Sequence, residues 1–385
     1  MDELIVGTYE GFLLGYSVQT ENEVKKLKQT FATHSHTASV RCISTAGRFL
    51  ASGGTDDKVV VIDLKTRKEH TVLMNHDGTV NAIAFTHGAT HVLTGSDDGK
   101  IIVTRTGNWQ IEKIWKKAHG GLPITALAIH PSDKLALSIG GDKTLRTWNL
   151  IKGRPAFTIN LSSKGINLPT ELKFAPTGDR FSIVYQQCVD VWTISKAGIE
   201  KHMTCNSKPT SVQWVTDDRL YVGLENGNII GLSVCDSIAV TYRAHKHRVK
   251  CVLYENNILY STSSSGEVKV WTEIDTKLTE ICSSNAGCRI TCVAMNKQNH
   301  LIKKEDKSDD EEEEVLEEPS DISIENNEES DDNKTSQIKK RKLGAYVSVS
   351  YDREGANDDG SQPKTKKKHK KRKRSKKSNE NKVTD

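Results

Sequence analysis

No stretch of this chain approaches the roughly 18 consecutive apolar residues that a membrane helix requires. Its opening residues, MDELIVGTYEG, carry acids where a secretory signal would carry positive charge followed by a long apolar run. An intracellular, reducing setting is the expectation. The eight cysteines contain no CxxC pair, and Cys288 and Cys292 have no matching histidine cluster, so a zinc site is not expected. Cys42, Cys188, Cys251 and Cys292 fall inside strand-like runs and read as buried small hydrophobes. Also missing in any usable context are a P-loop, a GxGxxG turn, an HExxH pair and a two-carboxylate constellation. No cofactor and no metal are therefore expected, and binding rather than catalysis is the default. Apolar residues are themselves scarce, at 35% of 385. That figure averages two unlike parts: residues 1 to 304 carry strand patterning, whereas 305 to 385 carry charge and almost no apolar run.

What is present begins with HPSDKLALSIGGDKTLRTWNL at 130–150. Leu135, Leu137 and Ile139 alternate with smaller or polar neighbours, residues 140–143 form a tight turn, and Thr144 to Trp148 form a second strand. Trp148-Asn149 is a near-miss of the WD dipeptide, and Ala118-His119 stands where such a repeat carries its GH pair. One blade cannot bury both faces alone, so copies are required. Aligned on the residue six places past the turn, Tyr16, Ile62, Thr104, Trp148, Trp192, Leu232 and Trp271 lie 46, 42, 44, 44, 40 and 39 residues apart by subtraction. These intervals match the roughly 40 to 45 of a WD repeat, and seven strand ends predict an all-β, seven-bladed propeller. The first blade lacks an opening strand, while RITCVAM at 289–295 is a strand with no hairpin after it. The ring is expected to close by joining 289–295 to 3–33, which removes free sheet edges.

Beyond residue 304 the chemistry changes. Between Glu305 and Asp332 there are 16 acids and one basic residue, Lys307. This opens an acidic segment, 305–338, that self-repels and should stay extended. A basic tail, 339–385, follows; KTKKKHKKRKRSKK at 364–377 has 11 Lys or Arg in 14 positions. Residues 305–385 hold 22 acids and 19 Lys or Arg, a net of −3, so the total of +5 leaves about +8 on residues 1–304. The run from Lys366, Lys367 and Lys368 through Lys370, Lys371, Arg372, Lys373 and Arg374 suits a nuclear import receptor, and it also suits phosphates of RNA. No aromatics interleave it, so base-specific readout by the tail is not expected. LGAYVSVSY at 343–351 reads either as a spacer or as a strand-adding linear motif. Ser308, Ser320 and Ser330 precede acids and fit an acidophilic kinase, whose phosphates would deepen the negative block.

His119, Ser138, Asp142 and Trp148 occupy the positions of the hydrogen-bonded tetrad of WD repeats. A Ser-His-Asp catalytic triad is the competing reading, but no GxSxG elbow supplies a strained nucleophile. Partial copies favour the brace: His36, Ser52 and Asp56, then His76, Thr94 and Asp98. Blade seven has His245, Ser261 and Trp271, with Ser265 where the acid is expected. Blades five and six keep little. Lys143, on the turn between second and third strands, and Arg154, on the loop past the fourth, are candidates for partner or RNA contact.

HPSDKLALSIGGDKTLRTWNLIKGRPAF at 130–157 resembles the most distinctive repeat of the PAK-interacting-protein family of WD-repeat proteins, which has a yeast member. AHKHRVK at 244–250, HTAS at 36–39 and RITCV at 289–293 are similar at corresponding places. The resemblance covers the propeller, with the tail matching in character only. It implies a nucleolar factor in assembly of the large ribosomal subunit, acting on pre-ribosomal particles and pre-rRNA. It also implies binding and restraint of a PAK-type kinase. A monomeric, membrane-free scaffold is the resulting expectation, with the dense acidic block and the degenerate blades five and six as departures.

Overall fold

The computed structural model describes residues 2–236, 239–274 and 277–297. The acidic and basic segments, with Ser308, Ser320, Ser330 and the Lys366 to Arg374 cluster, lie outside the described residues.

Seven four-stranded antiparallel sheets form a seven-bladed β-propeller. Blade one contains β1 (Glu3–Thr8), β2 (Phe12–Glu21) and β3 (Val24–His34). Blade two is β4–β7 (Val40–Ala46, Phe49–Gly54, Val59–Asp63, Lys68–Leu73). Blade three is β8–β11 (Val80–Phe85, His91–Ser96, Ile101–Arg105, Ile111–Trp115). Blade four is β12–β15 (Ile124–Ile129, Leu135–Gly140, Thr144–Asn149, Arg154–Asn160). Blade five is β16–β19 (Pro169–Phe174, Arg180–Tyr185, Cys188–Thr193, Gly198–Thr204). Blade six is β20–β23 (Pro209–Trp214, Arg219–Leu224, Asn228–Ser233, Ala239–Arg243). Blade seven is β24–β27 (Val249–Glu255, Ile258–Ser263, Glu267–Ile274, Lys277–Asn285). The last strand, β28 (Ile290–Asn296), pairs antiparallel with β1, Leu4 opposite Met295 and Val6 opposite Val293. N- and C-terminal strands thus share one sheet, and unfolding either releases the ring's closure.

Sequence alternation explains the strands, and burial on both faces explains their composition. The inner strands are apolar almost throughout, as in Val59–Val60–Val61–Ile62, because each blade is sandwiched between two others. The outer strands, such as β15, are largely exposed on both faces. Seven buried apolar clusters result, one at every blade boundary. Side chains of adjacent blades contribute to each, so no blade's core is complete without its neighbours.

Two details depart from the sequence reading. Arg154 is not on a loop past the fourth strand; it opens that strand, paired with Asn149. The register explains this, since a short turn at 150–153 returns the chain directly into β15. Of the four cysteines read as buried, only Cys292 is; Cys42, Cys188 and Cys251 are partly exposed, and Cys205 is buried instead. Cys42 and Cys251 line the central channel, where one face of an inner strand meets open space rather than a neighbouring sheet.

Candidate functional site

The loop before β12 carries His119, and the β13–β14 turn carries Asp142. His119 Nδ1 lies 2.7 Å from Asp142 Oδ1, and its Nε2 lies 2.6 Å from Ser138 Oγ. Trp148 donates its indole N–H to the same Ser138 oxygen at 2.8 Å. A carboxylate only accepts, so Nδ1 must be the protonated nitrogen. Nε2 then accepts from the Ser138 hydroxyl, whose oxygen accepts from Trp148, and every polar group in the chain is satisfied. Burial pulls the His119 pKa down against the attraction of Asp142, so the imidazole is neutral at pH 7. Burial also pushes Asp142 up, but hydrogen bonds from His119 and Thr144 outweigh it and hold the carboxyl below its usual range. His119 and Ser138 have no exposed surface. A nucleophile must meet its substrate, and Ser138 Oγ cannot.

Close approach governs the surrounding backbone. A Cβ on Gly140 would stand 2.4 Å from the His119 ring, so only glycine lets the histidine reach both partners. One residue past the acid, the turn requires positive φ: Gly11, Gly99, Gly227 and Gly266 supply it, whereas Asp57 and Lys143 adopt it without glycine. A left-handed lysine costs on the order of 1–2 kcal/mol. Lys143 is exposed there, while Arg154 lies at the opposite end of the β14–β15 hairpin, because Thr144 faces Asn160 and Asn149 faces Arg154. The two candidate cations therefore sit on opposite rims and do not form one patch.

In blade two, His36 contacts Asp56 at 2.9 Å and Ser52 at 2.8 Å. In blade three, His76 contacts Asp98 at 3.0 Å and Thr94 at 2.8 Å. Blade seven is more complete than the sequence reading allowed. His245 contacts Ser261 at 2.8 Å, Trp271 donates to that serine at 2.8 Å, and Glu267 takes the acid's place at 2.6 Å. Glu267 stands two residues past Ser265, at the position of Thr144 in blade four. Residues i and i+2 share a strand face, and that period was the available signal. Blade five has no such chain. Ser182 Oγ instead accepts from Trp214 of blade six at 3.1 Å, and the buried Trp192 indole N–H has no partner among the described residues.

A central channel of about 740 Å3 is lined by the seven innermost strands. Each of those strands is irregular at its second residue, where the pairing skips one position. The bulged residues are Arg41, Asn81, Thr125, Thr170, Thr210, Lys250 and Thr291, and all face the channel. Glu171 and Lys173 lie 3.8 Å apart on its wall. Desolvation by the wall raises the Glu171 pKa, against Lys173 and Lys250 and an N–H from Val212. Among the described residues no group of three or more His, Cys, Asp or Glu is arranged to hold a metal, and no helix is long and apolar enough to cross a membrane.

These geometries are those of WD repeats. The family model "WD domain, G-beta repeat" matches residues 25–63, 67–104, 111–149 and 237–272, leaving 150–236 unmatched. The chain is 34% identical over 302 residues to a Xenopus laevis protein named "p21-activated protein kinase-interacting protein 1-like", covering 76% of this chain and 81% of that one. The chain belongs to the PAK-interacting family of WD-repeat proteins. It is also 29% identical to "Shk1 kinase-binding protein 15" of Schizosaccharomyces pombe, covering 88% of this chain and 97% of the relative. Among solved structures, "Structure of U3-55K" superposes with a TM-score of 0.60 at 13% identity over 68% of this chain and 86% of that one, a likeness of fold. WD-repeat propellers of this kind are protein-binding scaffolds.

Proposed function

We propose that this protein is a non-enzymatic scaffold in nucleolar assembly of the large ribosomal subunit, where it takes part in pre-rRNA processing. The propeller docks protein components of pre-ribosomal particles, and the basic tail contacts pre-rRNA. The observation that carries this reading is the charge arrangement. A propeller of about +8 is joined to an acidic block of 16 acids and then to 11 Lys or Arg in 14 positions. Such a run neutralises phosphates with a salt-sensitive affinity that is independent of base sequence, and it also addresses the chain to a nuclear import receptor and so to the nucleus and nucleolus. The family resemblance points to the same particle. The buried braces act structurally, and the propeller works as a monomer without membrane contact. Phosphorylation at Ser308, Ser320 and Ser330 would deepen the acidic block; a phosphopeptide map of growing cells finding all three bare removes that element.

Affinity purification with RNA sequencing and mass spectrometry tests the main reading, with and without residues 305–385. Large-subunit precursors and pre-rRNA should co-purify, and loss of the tail should reduce the RNA fraction. Sedimentation only as free monomer, with no pre-rRNA at moderate salt, overturns it. Lys143→Gly is the clean probe of that residue, because glycine relieves the left-handed strain. A stable variant with weakened particle binding assigns Lys143 to the interface, and undiminished binding removes it.

A second reading is favoured by the names of the relatives, two of which are described as kinase-interacting or kinase-binding. Here the propeller binds and restrains a PAK-type kinase. Purified kinase whose activity is unchanged at saturating protein excludes this.

A further inference from the structure

On one rim of the propeller the cations nearest the channel mouth are unevenly placed. The residue just before six of the seven innermost strands uses its carbonyl to accept an N–H from the neighbouring turn. This holds for Ser39, Thr79, Pro123, Lys208, Arg248 and Arg289, at 2.8–3.0 Å. These six residues are therefore structurally equivalent, each beside the channel mouth. In blades two, three and four the position holds Ser39, Thr79 and Pro123. In blades six, seven and one it holds Lys208, Arg248 and Arg289. In the bulge ring one step inward both cations, Lys250 in blade seven and Arg41 in blade two, fall on the same arc, beside the uncharged Thr210 and Thr291 of blades six and one, whereas blades three to five hold Asn81, Thr125 and Thr170. Lys246, in the loop before β24, is exposed on the same arc.

Arg248 has a carboxylate partner, Glu225 at 3.6 Å, and its Nε is buried with no partner. Lys208, Lys246, Lys250, Arg289 and Arg41 have no ion pair within 4.0 Å among the described residues. The acids of the arc are Glu225, Glu267, which is held by His245, Glu10, which accepts from the Arg289 backbone, and Asp56 and Asp57 at its blade-two end. The opposite arc carries Asp77 and Asp97 and also the exposed Lys116, Lys117, Lys143 and Lys164, which stand outside the strand-start position, with Leu122 and Leu168 exposed at 47% and 73%.

Aromatic rings stand among these cations. Tyr9, 57% exposed, lies on the β1–β2 turn with the Arg289 guanidinium 5.4 Å from its ring centroid. Phe12, 38% exposed, pairs with His34 at 4.6 Å between centroids, and His34 Nε2 sits 3.2 Å from the Glu10 carbonyl. Unpaired cations with a curved spacing and exposed ring faces between them are the two components of single-strand recognition: the first track phosphates and the second stack on bases. An acidic peptide would use the cations but would leave Tyr9 and Phe12 without a role.

We propose that the rim of blades six, seven, one and two is a docking surface for single-stranded RNA. Lys208, Lys246, Lys250, Arg289 and Arg41 contact phosphates, and Tyr9 and Phe12 offer stacking faces. This deepens the reading of the protein as a pre-ribosomal scaffold and rests on it, but it places RNA contact on the propeller as well as the tail.

The test uses the full chain with Lys366, Lys367, Lys368, Lys370, Lys371, Arg372, Lys373 and Arg374 changed to Gln, so that tail binding does not mask the rim. Binding of an oligouridine is measured by fluorescence anisotropy across a salt series, with ultraviolet cross-links mapped to peptides. In that background, Lys208→Gln, Lys246→Gln, Lys250→Gln and Arg289→Gln together should weaken binding at least tenfold at ~0.1 M salt. The salt slope should fall by about 3, given roughly 0.7 per phosphate contact on a single strand. Tyr9→Ala should cost about fivefold or more and remove its cross-link. Lys208, Lys246, Arg289 and Tyr9 are exposed and Lys250 is half-buried on the channel wall with no ion pair among the described residues, so thermal midpoints should match the parent.

Unchanged RNA affinity in the fourfold variant overturns the proposal. So does a variant that retains oligouridine but loses polyglutamate, which would mark the rim as an acidic-peptide site. Particle association is read separately. If the rim fails to bind RNA while the protein still co-sediments with large-subunit precursors, only this inference falls. If the rim binds RNA and no precursor co-sediments, only the functional reading falls.

Discussion

Blades four and five share a boundary and hold their sheets together by different chemistry. Blade four runs a hydrogen-bonded chain from Asp142 through His119 and Ser138 to Trp148, and Trp148 stacks on Trp115 of blade three at 4.4 Å. Blade five has a serine and a tryptophan at the same positions, Ser182 and Trp192, with no histidine or acid joining them; its buried carboxylate, Asp190, pairs instead with Tyr185 at 3.0 Å and with His202 at 2.6 Å. It is flanked instead by the two largest apolar clusters, each with twelve buried side chains among the described residues, against nine at the boundary of blades three and four. A buried polar chain is favourable only if every member is satisfied, and a half-satisfied one is worse than apolar packing. Blade five therefore differs in kind from blade four and is not a decayed copy of it. The propeller needs mutual burial at every boundary; it does not need the same brace in every blade.

The largest effect that separates the two should come from truncating their tryptophans' settings unequally. Trp148→Ala removes an indole that fills the blade-three boundary and leaves Ser138 short of a donor, and should cost about 3–5 kcal/mol in denaturant unfolding. Asp142→Ala removes the charged acceptor of the buried His119 N–H, leaving it only the longer contact to Thr144 Oγ1 at 3.2 Å, and should cost roughly 1–3 kcal/mol. A midpoint within error of wild type for both variants would show that the chain in blade four is decorative.

Acid should strike the braced blades selectively. Burial lowers the pKa of His76 and His245 as it does that of His119. Because the folded value lies below the unfolded one, the unfolded chain binds more protons between the two. This contribution is fully present above about pH 6.5, the unfolded histidine value, and is lost as pH falls through the folded values. The partner carboxylates Asp98, Asp142 and Glu267 are held low, so their contribution disappears only in stronger acid. Hydrogen-exchange protection measured at pH 7.5 and pH 5.5 should drop in β9, β13 and β25 more than in β17 and β21. Uniform loss across all seven blades would break the comparison.

Blade seven sharpens it. Glu267→Gln keeps the shape but exchanges a charged acceptor for a neutral one, and should lower stability by about 1 kcal/mol. Ser265→Ala, at the position where a WD repeat carries its acid, should change stability by less, since Ser265 contacts only Ser263. Equal effects would mean that Glu267 is not the functional replacement.

These residues also mark how far the sequence could be read. Blade number and the positions of the inner strands were legible, because a repeat of 39 to 46 residues and strand alternation are properties of the chain itself. So was the set of His119, Ser138, Asp142 and Trp148, whose spacing lies within one blade. Glu267 was legible in principle, through the i and i+2 rule, but template matching looked only at Ser265. The use of Ser182 by Trp214, the bulged ring at the channel and the cationic arc were not legible. Each joins residues of different blades, 32 positions apart for Ser182 and Trp214 and about 40 for neighbouring members of the ring and the arc, and their meeting depends on how blades are set around the axis.

The smallest predicted effect tests the other side of the contrast. The Trp192 indole N–H is buried with no acceptor among the described residues, so its desolvation is uncompensated there. Trp192→Phe removes that donor and keeps most of the ring stack on Phe181, whose centroid lies 5.9 Å away. The lost volume and the relieved donor oppose each other, and the net change should stay within about 1 kcal/mol of zero. The same substitution at Trp148 removes a donor that Ser138 uses and should be clearly destabilising. If Trp192→Phe proved as costly as Trp148→Phe, the indole N–H in blade five would have an acceptor after all, and the two blades would be braced alike.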